Sequence, residues 1–193
     1  MARAAEQNGA PPGLIACMQR VSLSGTQELM SHKYVALILA TGGTPMVRAA
    51  HSTGKPAYGV GPGNVPVYVD RSADVEKAAR YIVASKSFDC STICATEQAV
   101  VADRPIAQRL RELMTREGAY FTDEGQTERL RKLLFNSEGG MITSTVGKPA
   151  LTLAAMAGFA VPPGTRVLVT PLKRVGREEP LSREKLTTVL GWY

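Results

Sequence analysis

Cys94 stands in the stretch SKSFDCSTICATEQAVV (Ser85–Val101), which places two thiols, several hydroxyls and two carboxylates close together. A cysteine between a helix and a strand can act as a nucleophile once ionised. Local sequence alone favours the plainer state, an inert buried thiol. Cys17, inside the apolar run Leu14–Gln19, reads as core, and Cys90 forms only a C-x3-C spacing with Cys94. The two histidines, His32 and His51, stand far from the cysteine pair, so no metal site is expected. Glu97 is three residues from Cys94 and is expected to tie down the cysteine loop rather than act as a base.

Two glycine clusters could face a ligand. Thr41-Gly42-Gly43 lies between an apolar run and a helix start, where free N–H groups and the helix dipole could meet an anion. Many α/β crossovers use such glycines only to turn, and the tight turn is the commoner outcome. Gly59, Gly61 and Gly63 fall in GVGPGNVPVYVD. A dinucleotide fingerprint must open a helix. Here Pro62 and Pro66 lead into a strand, so a loop for close backbone approach is the better reading.

The elements that would position these residues alternate. Gly25–His32 reads as helix, and Val35–Ala40 (VALILA) as a parallel strand covered on both faces. Thr44 suits a helix N-cap and Pro45 the first helical position, with the helix running to about Ala50. Ala57–Val60 and Val65–Asp70 read as strands. Val75, Ala78, Ala79, Ile82 and Val83 give one apolar helix face. Gln98–Ala102 is strand-like, Pro105–Glu117 an amphipathic helix, Tyr120–Phe121 a short strand and Thr127–Phe135 a helix. Pro149–Ala157 reads as helix and Arg166–Thr170 as strand, and an apolar piece reaches Trp192-Tyr193. The rhythm predicts a doubly wound α/β sheet. The pattern starts and stops abruptly, so the chain is expected to belong to a longer sequence.

The chain has 193 residues, 44% hydrophobic and 21% charged, with 23 Lys and Arg against 17 Asp and Glu, net +6. That is ordinary globular composition. Three cysteines do not make a disulfide scaffold. No apolar run has the length of a membrane span, the first thirty residues lack a signal-peptide pattern, and no nucleic-acid motif accompanies the charge. A cytoplasmic protein is the default expectation.

The blocks LILATGGTPMVRAAHSTGKPAYGVGPGNVPVYVD and SKSFDCSTICATEQAVV resemble the CoA-acylating branch of the aldehyde dehydrogenase superfamily, over about Ala4–Tyr193. That branch holds acetaldehyde and propionaldehyde dehydrogenases and the aldehyde dehydrogenase half of the bifunctional aldehyde-alcohol enzymes. The resemblance implies an aldehyde dehydrogenase-like α/β fold. Residues 1–58 would be part of the doubly wound NAD-binding sheet, and residues 59–193 the catalytic domain, truncated at its C-terminus. It makes Cys94 the nucleophile and brings NAD(P) to Thr41, Gly42 and Gly43. It gives Glu184, in Glu184-Lys185-Leu186, the nicotinamide ribose.

In hydrolytic members a glutamate upstream of the cysteine activates water. The corresponding passage here is Tyr58-Gly59-Val60-Gly61, with glycine in the glutamate's place. Water needs a base, whereas a thiol such as CoA is partly ionised near neutral pH. A short-chain aldehyde, NAD(P) and CoA are therefore the implied reactants, with a homo-oligomer as the full-length form and a bacterial microcompartment as an alternative location. A second oxyanion donor of the family, an asparagine, would lie upstream of Met1, so the chain alone is expected to turn over slowly. Two rivals stay open: a same-fold enzyme with water or phosphate as acceptor, and a non-catalytic fragment.

Overall fold

The computed structural model describes all 193 residues, which divide into two units, Met1–Pro62 and Gly63–Tyr193. In the first, α1 (Ala2–Gln7) and α2 (Leu23–Ser31) precede β1 (Ile38–Thr41), α3 (Thr44–His51) and β2 (Ala57–Val60). Ser22 caps α2 by accepting from the Gly25 N–H at 3.0 Å. β1 and β2 pair in parallel, Ile38 opposite Ala57, across the α3 crossover. Met30, Ile38, Ala40 and Ala50 form the core of this unit.

The VALILA run is not buried on both faces. Ile38 and Ala40 are buried, while Leu37 and Leu39 are exposed. The buried residues of α2 and α3 join Ile38 and Ala40 in one core, so helices cover a single face of this sheet. The α3 cap also sits one residue earlier than expected: Gly43 is the N-cap and Thr44 the first helical residue. Cys17 is exposed rather than core, because Leu14 and Ile15 beside it are exposed as well and no element covers the segment.

The second unit carries five parallel strands in the order β3-β4-β7-β6-β5. They are β3 (Pro66–Val69), β4 (Ala99–Ala102), β5 (Ala119–Phe121), β6 (Val167–Pro171) and β7 (Val189–Trp192). The helices are α4 (Val75–Ser87), α5 (Arg104–Arg116), α6 (Glu124–Leu134) and α7 (Ala150–Met156). Successive side chains of β6 point to opposite faces. Val167 and Val169 accordingly pack with Ile82 and Val83 of α4 and Leu110 and Met114 of α5, and Leu168 with Leu130 of α6 and Leu153 of α7. Both faces are covered, as a parallel sheet requires.

The strand order decides what the sheet can position. After β4 the chain crosses to the far edge for β5, then returns through β6 to place β7 between β6 and β4. Because the strands are parallel, the segments entering β3, β4 and β7 meet at one end of the sheet. Those segments are Gly63–Val65, the cysteine loop and the Glu184 segment.

Candidate active site

α4 ends at Ser87, and a short 3-10 turn, Phe88–Ser91, opens the loop that holds Cys94. Asp89, Cys90 and Ser91 adopt φ of 46°, 48° and 63°, the left-handed region that non-glycine residues rarely enter. Each such residue costs about 1 kcal/mol or more, so the turn persists only where its surroundings hold it. Ser91 is buried, and Thr92 to Ala95 are thrown outward with Cys94 exposed.

The groups that hold the loop are polar and buried. Lys86, fully buried in the last turn of α4, donates to Ser91 Oγ at 2.8 Å, Gln98 Oε1 at 3.3 Å and the Lys185 carbonyl at 3.2 Å. Ser91 Oγ lies 2.6 Å from Thr96 Oγ1, and Thr96 Oγ1 donates to the Ile93 carbonyl at 3.2 Å. Burial lowers the Lys86 amine to about 7, while the carboxylates of Glu97 and Glu184 oppose that shift. The Glu97 side chain makes no hydrogen bond to the loop, and its Oε2 is buried without a partner.

Glu184 belongs to the same cluster. Its Oε1 accepts from the Gly63 N–H at 3.1 Å, and Asn64 Nδ2 donates to the Ser182 carbonyl at 3.1 Å. The Gly63 backbone threads between loop and carboxylate: a Cβ there would stand 3.3 Å from the Cys94 carbonyl oxygen and 3.8 Å from Glu184 Oε1. Gln98 links the segments, accepting from the Lys185 N–H at 2.8 Å, with its own N–H donating to the Val65 carbonyl at 2.8 Å. Lys185 Nζ is fully buried and meets three backbone carbonyls, of Gln98, Leu181 and Arg183, at 2.6 to 2.9 Å. Burial lowers its amine too, and the charge of Lys86 adds to the effect.

The Cys94 amide donates to no group in the chain. An exposed thiol beside its own free N–H can attack a carbonyl and stabilise the oxyanion that forms.

In the first unit Thr41, Gly42 and Gly43 do form the turn between β1 and α3. The Gly42 N–H is spent on the Val60 carbonyl at 3.1 Å. The Gly43 and Thr44 amides donate to nothing in the chain, and no side chain caps α3. Two free amides at a helix N-terminus fit an anionic group of a dinucleotide. In the second unit Glu184 keeps Oε2 without a partner while Gly63 fixes Oε1, which fits a carboxylate meant for a hydroxyl pair. At Gly59 a Cβ would stand 2.4 Å from Val47 Cγ1, so β2 packs on α3 with no room for a side chain. From Ala57 to Gly63 there is no carboxylate.

Sequence reasoning missed Lys86, Ser91, Thr96 and Gln98. One signal was readable: Ala79, Ile82 and Val83 set an apolar face whose next position is Lys86, directly before the cysteine loop. A cavity of about 620 Å³ between α6 and the end of β6, lined by Asp123, Arg131, Lys173 and Glu179 among others, contains none of these residues. It lies past the carboxyl ends of β5 and β6, at the sheet edge opposite the cysteine loop.

The chain is 44% identical over 191 residues to an aldehyde-alcohol dehydrogenase of Streptococcus pneumoniae, covering 95% of this chain and 22% of that protein. It thus spans about a fifth of that relative's length. A crystal structure of an acetylating aldehyde dehydrogenase from Geobacillus thermoglucosidasius superposes with a TM-score of 0.95 at 44% identity, over all of this chain and 42% of the other. A Rhodopseudomonas palustris propionaldehyde dehydrogenase, solved with bound CoA and an acylated cysteine, superposes at 0.89 with 33% identity, over 99% of this chain and 43% of the other. The model of the aldehyde dehydrogenase family matches residues 1–124. On that match, and with relatives that include acetylating enzymes, the chain belongs to the aldehyde dehydrogenase family.

Proposed function

We propose that this chain supplies the nucleophilic half of an enzyme that converts a short-chain aldehyde to acyl-CoA. The observation that carries the reading is Cys94 itself, an exposed thiol with an unspent backbone N–H on a loop locked from behind. That the Rhodopseudomonas relative carries an acylated cysteine supports a cysteine thioester as the intermediate.

In the forward direction the Cys94 thiolate adds to the aldehyde carbonyl, and the Cys94 N–H meets the oxyanion of the resulting thiohemiacetal. NAD(P)+ supplies the acceptor for the hydride when bound. Within the first unit the free Gly43 and Thr44 amides would suit an anionic group of the dinucleotide; taken by itself, the second unit has in Glu184 a carboxylate that would suit a ribose hydroxyl. The thioester left on Sγ is then attacked by the thiol of CoA, whose sulfur takes the acyl group as the Cys94 thiolate leaves. The passage Ala57–Gly63 offers no carboxylate to activate water, which favours a thiol acceptor.

The acceptor can be tested on the acyl-enzyme. Cys94 acylated by a short acyl thioester should discharge rapidly to CoA and slowly to phosphate or buffer. Equal discharge in buffer alone would move the reading to a hydrolytic enzyme, and discharge specific to phosphate would move it to a phosphorylating one.

A further inference from the structure

Lys86 has no role in the chemistry above, yet it is the only charged side chain joined to the cysteine loop by hydrogen bonds from beneath. With Lys86 as an ammonium, one direction of those bonds gives every proton an acceptor. The Ile93 carbonyl, which also accepts from the Thr96 N–H at 3.3 Å, takes the Thr96 hydroxyl proton at 3.2 Å. Ser91 must then donate to Thr96 Oγ1, which leaves Ser91 Oγ to accept from Lys86 Nζ. An ordered chain therefore runs from the Lys86 ammonium through Ser91 and Thr96 to the Ile93 oxygen. That oxygen belongs to the peptide whose N–H is the free amide of Cys94.

We propose that Lys86 is a positioning residue that acts through Ser91 and Thr96 on the Ile93–Cys94 peptide, holding the Cys94 N–H toward the oxyanion and strengthening it as a donor. This rests on Cys94 being the nucleophile. Hydrogen bonds in a chain polarise one another, and a bond accepted at an amide oxygen makes the same amide's N–H a better donor.

The charge state of Lys86 sets the direction of the chain. The ammonium has three protons for three acceptors: Ser91 Oγ, Gln98 Oε1 and the Lys185 carbonyl. When one proton is lost to solvent, the amine's lone pair must face one of them. The Lys185 carbonyl cannot donate, and Gln98 is held in its orientation by the Lys185 N–H on Oε1 and by its own Nε2 on the Thr96 carbonyl. Only the Ser91 hydroxyl can turn toward Nζ. Thr96 must then donate back to Ser91, and the Ile93 oxygen loses its hydroxyl partner. Glu97, Glu184 and Lys185 are the charged groups around Lys86, and its amine lies at about 7. The reversal thus falls near neutral pH.

Two reagents separate this from a merely structural lysine. p-Nitrophenyl acetate acylates a thiolate through a tetrahedral oxyanion: the S–C bond forms, the ester C–O bond breaks and p-nitrophenolate leaves. Iodoacetamide alkylates the same thiolate by direct displacement of iodide, with no oxyanion. The ratio of the two rates at Cys94, read by peptide mapping, cancels the thiolate fraction. The ratio is expected to be high and constant at acid pH and to fall several-fold as pH rises through about 7. Lys86→Met and Thr96→Val should make it low and flat, and Thr96→Ser should restore the step. A flat ratio in the unmodified chain, or a step that survives in Lys86→Met or Thr96→Val, would overturn the relay. The unmodified profile decides the matter even where a variant fails to fold. Cys94 reacting no faster than Cys17 with either reagent would instead remove the nucleophile reading, a result the ratio does not depend on.

Discussion

Lys86 contributes to stability in a direction its burial fixes. Its amine titrates near 7 in the folded chain against an ordinary value of 10.5. Below about pH 7 both folded and unfolded chains carry the proton, and this group adds no slope. Between about 7 and 10.5 the unfolded chain binds more protons, so stability rises with pH. One proton corresponds to at most about 1.4 kcal/mol per pH unit. Denaturant unfolding from pH 7 to 9.5 should therefore show a shallower rise for Lys86→Met than for the unmodified chain. Parallel curves would show that Lys86 stays charged throughout. Lys185, also lowered by burial, adds slope of the same sign in both proteins, and loss of the Lys86 charge can only relax its shift, which makes the variant's rise shallower still.

Cys94 could be picked out because the residues around it resemble a family motif; local sequence alone gave it no advantage over Cys17 or Cys90. Lys86 escaped for a physical reason. A lysine at the end of a helix is normally solvated, and only the three-dimensional meeting of α4, the loop and the Lys185 segment supplies its acceptors.

At the scale of elements, the site is a property of strand order. Placing β7 beside β4 brings the Glu184 segment against the cysteine loop, and β3 beside β4 brings in Gly63. Most helices and strands were legible from apolar periodicity, α4 and α5 above all. The strand order was not, because the jump from β4 to the far edge leaves no mark in local pattern. For the same reason the one-sided burial of β1 could not be read from VALILA, whose composition does not say how many helices cover it. Gly63 is where element packing touches chemistry. Gly63→Ala should change stability by no more than about 1 kcal/mol, because its new Cβ meets only the Cys94 carbonyl oxygen at 3.3 Å and Glu184 Oε1 at 3.8 Å. It should nevertheless slow acylation of Cys94 by displacing the Cys94 carbonyl. A large loss of stability with unchanged acylation would contradict that placement.

At the scale of the whole molecule, the residues assigned to the nucleophile lie within the Gly63–Tyr193 unit, whose sheet is covered by apolar clusters on both faces. The Met1–Pro62 unit carries the Thr41–Gly43 turn on a two-stranded sheet with four buried core residues. The hydrogen-bonded groups that hold the cysteine loop thus lie within one unit, and acyl transfer to Cys94 needs no dinucleotide. The reverse half-reaction can therefore be measured on the chain as it stands. The chain is incubated with propionyl-CoA, and the cysteine peptides are mapped by mass spectrometry while released CoA thiol is counted. Cys17 and Cys94 are both exposed, so access is matched between them. A propionyl thioester should form on Cys94 alone, with one CoA released for each. No acyl group on Cys94, or equal labelling of Cys17, would rule out Cys94 as the nucleophile.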